Sequence, residues 1–170
     1  MAELDMPKAR FGVDIKEGEY TQNGADSVEF VICPNVGEEM KSLAKFASGG
    51  ELARVMLAMK SILADTDNVD TLIFDEIDTG VSGSASQKIA QKLKALGIKK
   101  QVICVSHQPQ LAAIANQHLL IKKSSDGNRT TTSVTELDTK GRISEVARII
   151  DGANPSEAAL LHAKVMIENA

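Results

Sequence analysis

The sequence predicts an α/β fold in which helices flank a central, mostly parallel sheet, with an antiparallel pair of strands beside it. The apolar run at residues 71–74 has the length and composition of a buried central strand. Alternating polar and apolar side chains at residues 8–15 and 27–33, separated by turn-forming residues, predict the antiparallel pair. An apolar stripe with a 3.6-residue period predicts the first long helix, and its members are Leu52, Val55, Met56, Met59, Ile62 and Leu63.

The remaining elements follow in order along the chain. Residues 84–96 have a helical apolar face, and Gly97 is expected just after that helix, where glycine is favoured. Asn154 is expected as the N-cap of the last helix, with Pro155 as its first residue. The other predicted elements are a strand at 101–105, a helix at 109–116, strands at 118–122 and 130–137 joined by a turn at 124–128, and helices at 143–150 and 155–168.

The composition is that of a soluble globular protein with one domain. A chain of 170 residues can bury a sizeable core, and its net charge of −4 gives no overall attraction to nucleic acid. Any contact with DNA must therefore be local or lie elsewhere. Cys33 and Cys104 lie in apolar, strand-like runs without metal-ligand spacing, as small buried thiols of a reducing compartment do. Without an apolar run long enough to span a bilayer, or a signal peptide, we expect a cytoplasmic protein that contacts no membrane.

Two adjacent carboxylates, Asp75 and Glu76, directly follow the predicted central strand. Open α/β sheets bind their ligands at the carboxyl ends of their strands, so this is where functional acids are expected. One carboxylate could hold a hydrated Mg²⁺ ion while the other accepts a proton from water. The alternative is a solvated acidic turn that ends the strand and has no chemical role.

The start of the first long helix carries a second candidate motif. Ser48 and Glu51 have the S-x-x-E spacing of a capping box, which explains part of the motif as helix initiation alone. Gly49 and Gly50 are not required for capping and cost helix stability. They would be useful if a ligand approached the bare backbone N–H groups at the positive end of the helix dipole.

A third candidate is His107, which follows the predicted strand at residues 101–105 and is therefore also expected at the ligand edge of the sheet. His118 and His162 lack such a setting, and we interpret them as structural or exposed. These candidate motifs, together with the loop at residues 78–83, stand in a specific order along the chain.

That order and spacing resemble the signature motif, Walker B strand, D-loop and H-loop of ABC-type ATPase heads. The longer runs FASGGELAR from Phe46, LIFDEIDTGVSG from Leu72 and VSHQPQ from Val105 are similar to the RecN family of SMC-like DNA repair proteins. Arg54 stands where ABC-type ATPase heads often carry an arginine. The resemblance extends from about Leu4 to the last helix, and it implies the C-terminal lobe of an ABC/SMC-type ATPase head.

The resemblance implies a role for each motif residue in ATP hydrolysis. Asp75 would hold Mg²⁺, Glu76 would polarise the attacking water, and His107 would contact the γ-phosphate of ATP. The signature residues would close over ATP bound by a second head, with a contribution from the D-loop region. These residues are Ser48, Gly49, Gly50 and Glu51 in the signature, and Asp78 and Ser82 in the D-loop region. Ser82 stands where D-loops usually end in aspartate.

The sequence contains no G-x-x-x-x-G-K-[ST] motif, so it lacks the N–H cradle and the lysine that hold the β- and γ-phosphates. In the family it resembles, that loop belongs to an N-terminal lobe separated by a long coiled coil. We therefore expect residues 1–170 to form one C-terminal lobe that is inactive alone. Its expected parts are an antiparallel region at 1–37, the motif-bearing core at 38–123, and a strand turn with terminal helices at 124–170.

The expected partners are the P-loop lobe of the same protein, a second head that pairs with it when ATP is bound, and DNA at the nucleoid through the full-length protein. Two alternatives belong to other classes: a non-catalytic dimerisation or scaffold lobe, and the ATPase subunit of a transporter. The intact Asp75, Glu76 and His107 argue against a scaffold. Glu51, the acidic run at 75–78 and the absence of a helical coupling region favour the SMC-like choice over a transporter.

Overall fold

The computed structural model describes residues 1–45, 48–127 and 129–170, which form two compact units, Met1–Val105 and Ser106–Ala170. Phe46, Ala47 and Asn128 lie outside the described residues, and with them the start of the predicted signature run and one residue of the predicted turn. Helices and sheets are mixed in the chain, as the α/β prediction requires.

The first unit opens with a long antiparallel hairpin of β1 (Arg10–Thr21) and β2 (Gly24–Cys33), and the short β3 (Lys41–Ser42) pairs with β2. The predicted pairing is confirmed, but both strands are longer than predicted. Turn-forming residues 17–20 remain within β1 because a register shift between Glu17 and Thr21 absorbs them. The actual turn is Gln22 and Asn23, followed by Gly24 with a φ of 119°.

Two helices and a parallel strand pair complete the first unit. They are α1 (Gly49–Leu63), β4 (Thr71–Phe74), α2 (Gly83–Gly97) and β5 (Gln101–Cys104). Strand β4 pairs with β5 in parallel, and α2 provides the crossover connection that a parallel pair needs. Fully buried Val55, Leu57, Ile77 and Ile89 mark the core around these elements.

Two details of this region differ from the prediction. The central strand is packed on one face only, because Leu72 and Phe74 are buried whereas the Ile73 side chain is 69% exposed. Gly97 is the last residue of α2 and does not follow it, and Ile98 caps the helix in a right-handed conformation. The N–H groups of Lys99 and Lys100 both reach the Leu96 carbonyl, so this helix end needs no left-handed glycine.

The second unit contains three helices and an antiparallel hairpin. Its elements are α3 (Pro109–Ile114), β6 (Leu119–Ser125), β7 (Thr130–Glu136), α4 (Thr139–Asp151) and α5 (Glu157–Glu168). Val146, Ala147, Ala159 and Ala163 form its small core between α4 and α5. No helix of the described ranges is long and apolar enough to cross a membrane.

The start of α5 corrects the predicted cap. Ser156, not Asn154, is the N-cap, and its hydroxyl oxygen accepts a hydrogen bond from the Ala159 N–H at 3.3 Å. The Asp151 carboxylate accepts the Ser156 N–H at 2.8 Å. This bond fixes the backbone two residues later than the Asn-Pro pattern indicates, so Pro155 precedes the helix.

Candidate functional site

Asp75 and Glu76 lie at the carboxyl end of β4, and both side chains are exposed. The Asp75 Oδ1 atom accepts a hydrogen bond from the Glu76 N–H at 2.9 Å. Glu76 has a φ of 57°, in the left-handed region that residues with a side chain rarely adopt. The chain therefore turns sharply between the strand and the loop that follows it.

The start of α1 packs against this turn. Ser48 is the N-cap of α1, and its Oγ atom accepts a hydrogen bond from the Glu51 N–H at 3.5 Å, which confirms the predicted capping role. A Cβ atom on Gly49 would lie 2.6 Å from Glu76 Oε2, and one on Gly50 would lie 2.9 Å from the Glu76 carbonyl oxygen. Gly50 is thus required by contacts with the backbone of this chain, whereas the contact at Gly49 is with a flexible side chain that can move. The carboxylate of Glu76 lies at the positive end of the α1 dipole, where a negative charge is favoured.

Arg54 belongs to the same contact, which the sequence analysis did not detect. It lies one helical turn after Gly50, on the same face of α1, and is only 5% exposed. Its Nη1 atom donates hydrogen bonds to the carbonyl oxygens of Thr79 at 3.0 Å and Ile77 at 3.4 Å. Burial lowers the pKa of the guanidinium, and the charges of Glu51 and Asp5 oppose this effect. No local pattern signals this contact, because Arg54 lies on the side of α1 away from the predicted apolar stripe.

The loop after Glu76 contains the other two predicted nucleotide contacts. Asp78 is 2% exposed, so its carboxylate is buried in the first unit. Ser82 is the N-cap of α2, and its Oγ atom accepts a hydrogen bond from the Ala85 N–H at 3.4 Å. Nearby, burial and then the charges of Asp78 and Asp75 raise the pKa of the Cys104 thiol to about 12, so this sulfur stays protonated at neutral pH.

His107 belongs to the second unit, where its side chain is exposed in the segment before α3. The Ser106 hydroxyl oxygen accepts a hydrogen bond from the Gln108 N–H at 2.9 Å, which fixes the backbone on either side of His107. The other two histidines match their interpretation: His162 is exposed, and burial lowers the pKa of half-buried His118. The structure therefore brings Glu76, Gly49 and Gly50 together in the first unit, whereas His107 belongs to the second unit.

The resemblance implies a bound Mg²⁺ ion, for which carboxylate side chains are the expected protein ligands. Among the residues with described positions, no three or more His, Cys, Asp or Glu side chains are grouped to hold a metal ion. Mg²⁺ in nucleotide enzymes is usually held by one or two carboxylates, with water and phosphate oxygens as its other ligands. The exposed carboxylate of Asp75 fits that single-ligand contribution.

Two cavities flank α1 in the first unit. One of about 300 Å³ lies between α1 and β4, and the second, of about 390 Å³, lies between α1 and the hairpin. Both are lined by Leu52 and Met56, and their walls are mainly apolar. Lys60, which lines the first cavity, is paired with Asp67. The chemistry of these cavities is thus suited to packing against apolar side chains and not to holding phosphate groups.

Curated relatives give the family of the chain. It is 44% identical over 170 residues to the DNA repair protein RecN of Halalkalibacterium halodurans, which covers 97% of this chain and 30% of that protein. The RecN of Bacillus subtilis is 46% identical over 152 residues, or 89% of this chain and 26% of that protein. The chain belongs to the RecN family. It spans about 30% of the length of these relatives. No family model matches the sequence.

Solved structures give the fold of this RecN-family chain. The Smc head domain with a coiled coil and joint from Pyrococcus yayanosii has a TM-score of 0.62 and 21% identity, over 88% of this chain and 27% of that one. A structure described under ATP-driven dimerization and DNA-stimulated activation of SMC ATPases has a TM-score of 0.53 and 20% identity, over 90% of this chain and 88% of that one. The predicted fold class, a lobe of an SMC-type ATPase head, is confirmed.

Proposed function

We propose that this RecN-family chain supplies the signature, Walker B, D-loop and H-loop half of a composite ATPase site in an SMC-like DNA repair protein. The observation that carries the proposal is the exposed pair Asp75 and Glu76 after β4, of which Glu76 lies against the N-terminus of α1. The names of the curated relatives and the SMC-type head fold support it.

In this proposal the chain holds Mg²⁺ through Asp75, mostly by way of water. Glu76 accepts a proton from the water that attacks the γ-phosphate, and His107 contacts that phosphate. Mg-ATP supplies the bound electrophile. Losing a general base typically slows such a reaction by about 10²–10⁴. Loss of the Glu76 carboxylate is expected to lower the rate of hydrolysis by a factor in this range.

The start of α1 serves a second head. Ser48, Gly49, Gly50 and Glu51 close over the γ-phosphate of ATP held by the partner, with Asp78 and Ser82 contributing from the D-loop region. Ser48 and Gly49 are exposed, so another molecule can reach them. Because a carboxylate and a phosphate repel each other, the Glu76 side chain moves away from the helix start when the partner's phosphate arrives.

In this proposal residues 1–170 form one C-terminal head lobe, with internal divisions at about residues 37 and 123. The lobe works with a P-loop lobe of the same protein, with a second head, and with DNA at the nucleoid. The DNA repair names of the relatives favour it over a transporter subunit. A non-catalytic scaffold is the alternative, and it predicts that the wild-type full-length protein does not hydrolyse ATP.

An exposed apolar face of the hairpin is the proposed seat of the P-loop lobe. Cross-strand pairs Val13 with Phe30 and Ile15 with Val28 lie on one face, and all four side chains are between 45% and 63% exposed. Exposed apolar patches of this kind mark interaction surfaces. The polar face of the same strand carries Lys16, which is paired with Asp14.

Val13→Asp is expected to weaken association of the chain with a separately produced P-loop lobe at least about tenfold, since it places a charge in an apolar contact. The matched control Lys16→Glu changes charge on the opposite face and is expected to bind as wild type does. Size-exclusion chromatography of the mixed lobes measures both. Equal binding by Val13→Asp and wild type would exclude this face as the lobe contact.

The experiment that tests the proposal as a whole is reconstitution. The chain alone is expected neither to bind Mg-ATP tightly nor to hydrolyse it, because it has no P-loop to hold the β- and γ-phosphates. Adding the P-loop lobe in trans is expected to restore turnover. Titration calorimetry and a phosphate-release assay check the two statements. Micromolar binding at one site on the chain alone would contradict the composite site.

A further inference from the structure

Arg54 is a buried charged residue in the contact between α1 and the turn after β4. Arg54 carries a charge into a position that is 5% exposed, and taking a charge out of water is unfavourable unless it is compensated. Its Nε atom has no hydrogen-bond partner among the residues that the structure describes, which adds to that cost. An apolar residue would fill the same space without this penalty.

The compensation lies in the loop that Arg54 contacts. The Thr79 N–H donates to the Glu76 carbonyl oxygen at 3.0 Å, so residues 76–79 form a closed turn. Arg54 Nη1 donates to the carbonyl oxygens of Ile77 and Thr79, which flank the buried Asp78. These bonds fix the orientation of the peptide group between Ile77 and Asp78 and of the one that follows Thr79.

Gly50 is the second tie between α1 and the same turn. An added Cβ atom would lie 3.1 Å from both the Cβ and the carbonyl oxygen of Thr79, in addition to its close approach to the Glu76 carbonyl. Gly50 and Arg54 are four residues apart and lie on one face of α1. Steric contact and hydrogen bonds thus hold the turn against the helix at two successive levels.

We propose that Arg54 is a positioning residue that holds the Glu76–Thr79 turn so that the Glu76 carboxylate is placed for water activation. The inference rests on the proposed function of Glu76. Arg54 acts through the main chain of Ile77 and Thr79. Because the same helix start receives the partner's phosphate in the proposed function, Arg54 also links that event to the placement of Glu76 in its own head.

The test uses the full-length protein with Arg54→Met, which keeps the length of the side chain and removes its hydrogen bonds. We expect kcat to fall about tenfold to a hundredfold, because a small misplacement of a catalytic group has effects of this size. The KM for ATP is expected to stay within about twofold, since the P-loop contacts are untouched. Lys94→Met, which removes an exposed charge from α2, is the matched control and is expected to leave both values unchanged.

Arg54→Lys is expected to retain an intermediate kcat, because both hydrogen bonds come from the single atom Nη1 and an ammonium group can replace part of them. If thermal unfolding shows that Arg54→Met is not folded, Arg54→Lys takes its place in the experiment that follows.

A double-mutant cycle with Glu76→Gln separates positioning from a general structural role. If Arg54 acts through Glu76, then Arg54→Met costs no further turnover once the carboxylate is gone. The same fold loss in both backgrounds would overturn the inference while leaving the role of Glu76 intact. Wild-type turnover by Glu76→Gln alone would instead overturn the proposed function of Glu76, on which the inference rests.

Discussion

Glu76→Gln in the full-length protein is expected to bind ATP well, to hydrolyse it about 10²–10⁴-fold more slowly than wild type, and to accumulate as a closed head dimer. The amide nearly preserves the shape of the side chain and can still hydrogen-bond water, but it cannot accept the proton. Removing a negative charge close to the γ-phosphate also favours the ATP-bound state. The Glu76 carboxylate lies beside Gly49 at the start of α1. Removing its charge is therefore also expected to relieve its repulsion of the partner's phosphate, which binds there in the proposed function.

Asp75→Asn provides the contrast. It weakens the ligand for Mg²⁺ and is therefore expected to lower nucleotide affinity, which Glu76→Gln leaves intact. Single-turnover hydrolysis and nucleotide affinity, measured for both variants, separate the two roles. Turnover at the wild-type rate by Glu76→Gln would show that Glu76 is not the base. Absence of turnover by the wild-type full-length protein would favour the scaffold alternative.

Ser48→Arg is expected to abolish ATP-driven pairing of heads in the full-length protein while leaving nucleotide binding largely intact. A long cationic side chain at the exposed start of α1 blocks the approach of the partner, and the P-loop pocket of the same head is untouched. The substitution also removes the N-cap of α1, which costs about 1 kcal/mol on average. Lost capping and blocked approach must therefore be distinguished.

Ser48→Ala is the matched control for that distinction, because it removes the cap without adding bulk. It is expected to lower the melting temperature about as much as Ser48→Arg does and to keep most of the pairing. Analytical ultracentrifugation with a non-hydrolysable ATP analogue measures pairing, and a filter-binding assay measures affinity. An equal loss of ATP binding in monomeric heads of Ser48→Arg would show that Ser48 acts within its own head.

Much of the fold could be predicted because each element is encoded locally. The helical period of α1, the Ser48 cap and the alternating residues of β1 and β2 depend on spacings that the sequence displays directly. Which face of α1 is buried could not be predicted from that period, because Leu57 is buried whereas Ile62 of the predicted stripe is 81% exposed. The exposure of Ile73 could not be predicted in this way, because it depends on what covers the sheet and not on the strand itself. The cap at Ser156 was missed because the Asp151 carboxylate, at the end of the preceding helix, holds the Ser156 N–H.

The candidate site shows the same division. Adjacent acids after a strand and two glycines at a helix start are visible as motifs, whereas the contact between them is a tertiary property. Gly49 and Gly50 were explained as access for a ligand, and at Gly50 the structure adds a requirement for close packing on the Glu76 turn. The hydrogen bonds of Arg54 to Ile77 and Thr79 join residues more than 20 positions apart, a relation that no local pattern encodes.

Selection for stability alone would act against Glu76, the second residue after β4. A residue with a side chain in the left-handed region costs roughly 1–2 kcal/mol relative to one in the right-handed helical region, and glycine or asparagine would relieve much of that. Glu76 occupies this conformation with a φ of 57°. A thermostability screen of this lobe would therefore enrich glycine or asparagine at position 76, and the hardier variants would lack the carboxylate on which the proposed hydrolysis depends.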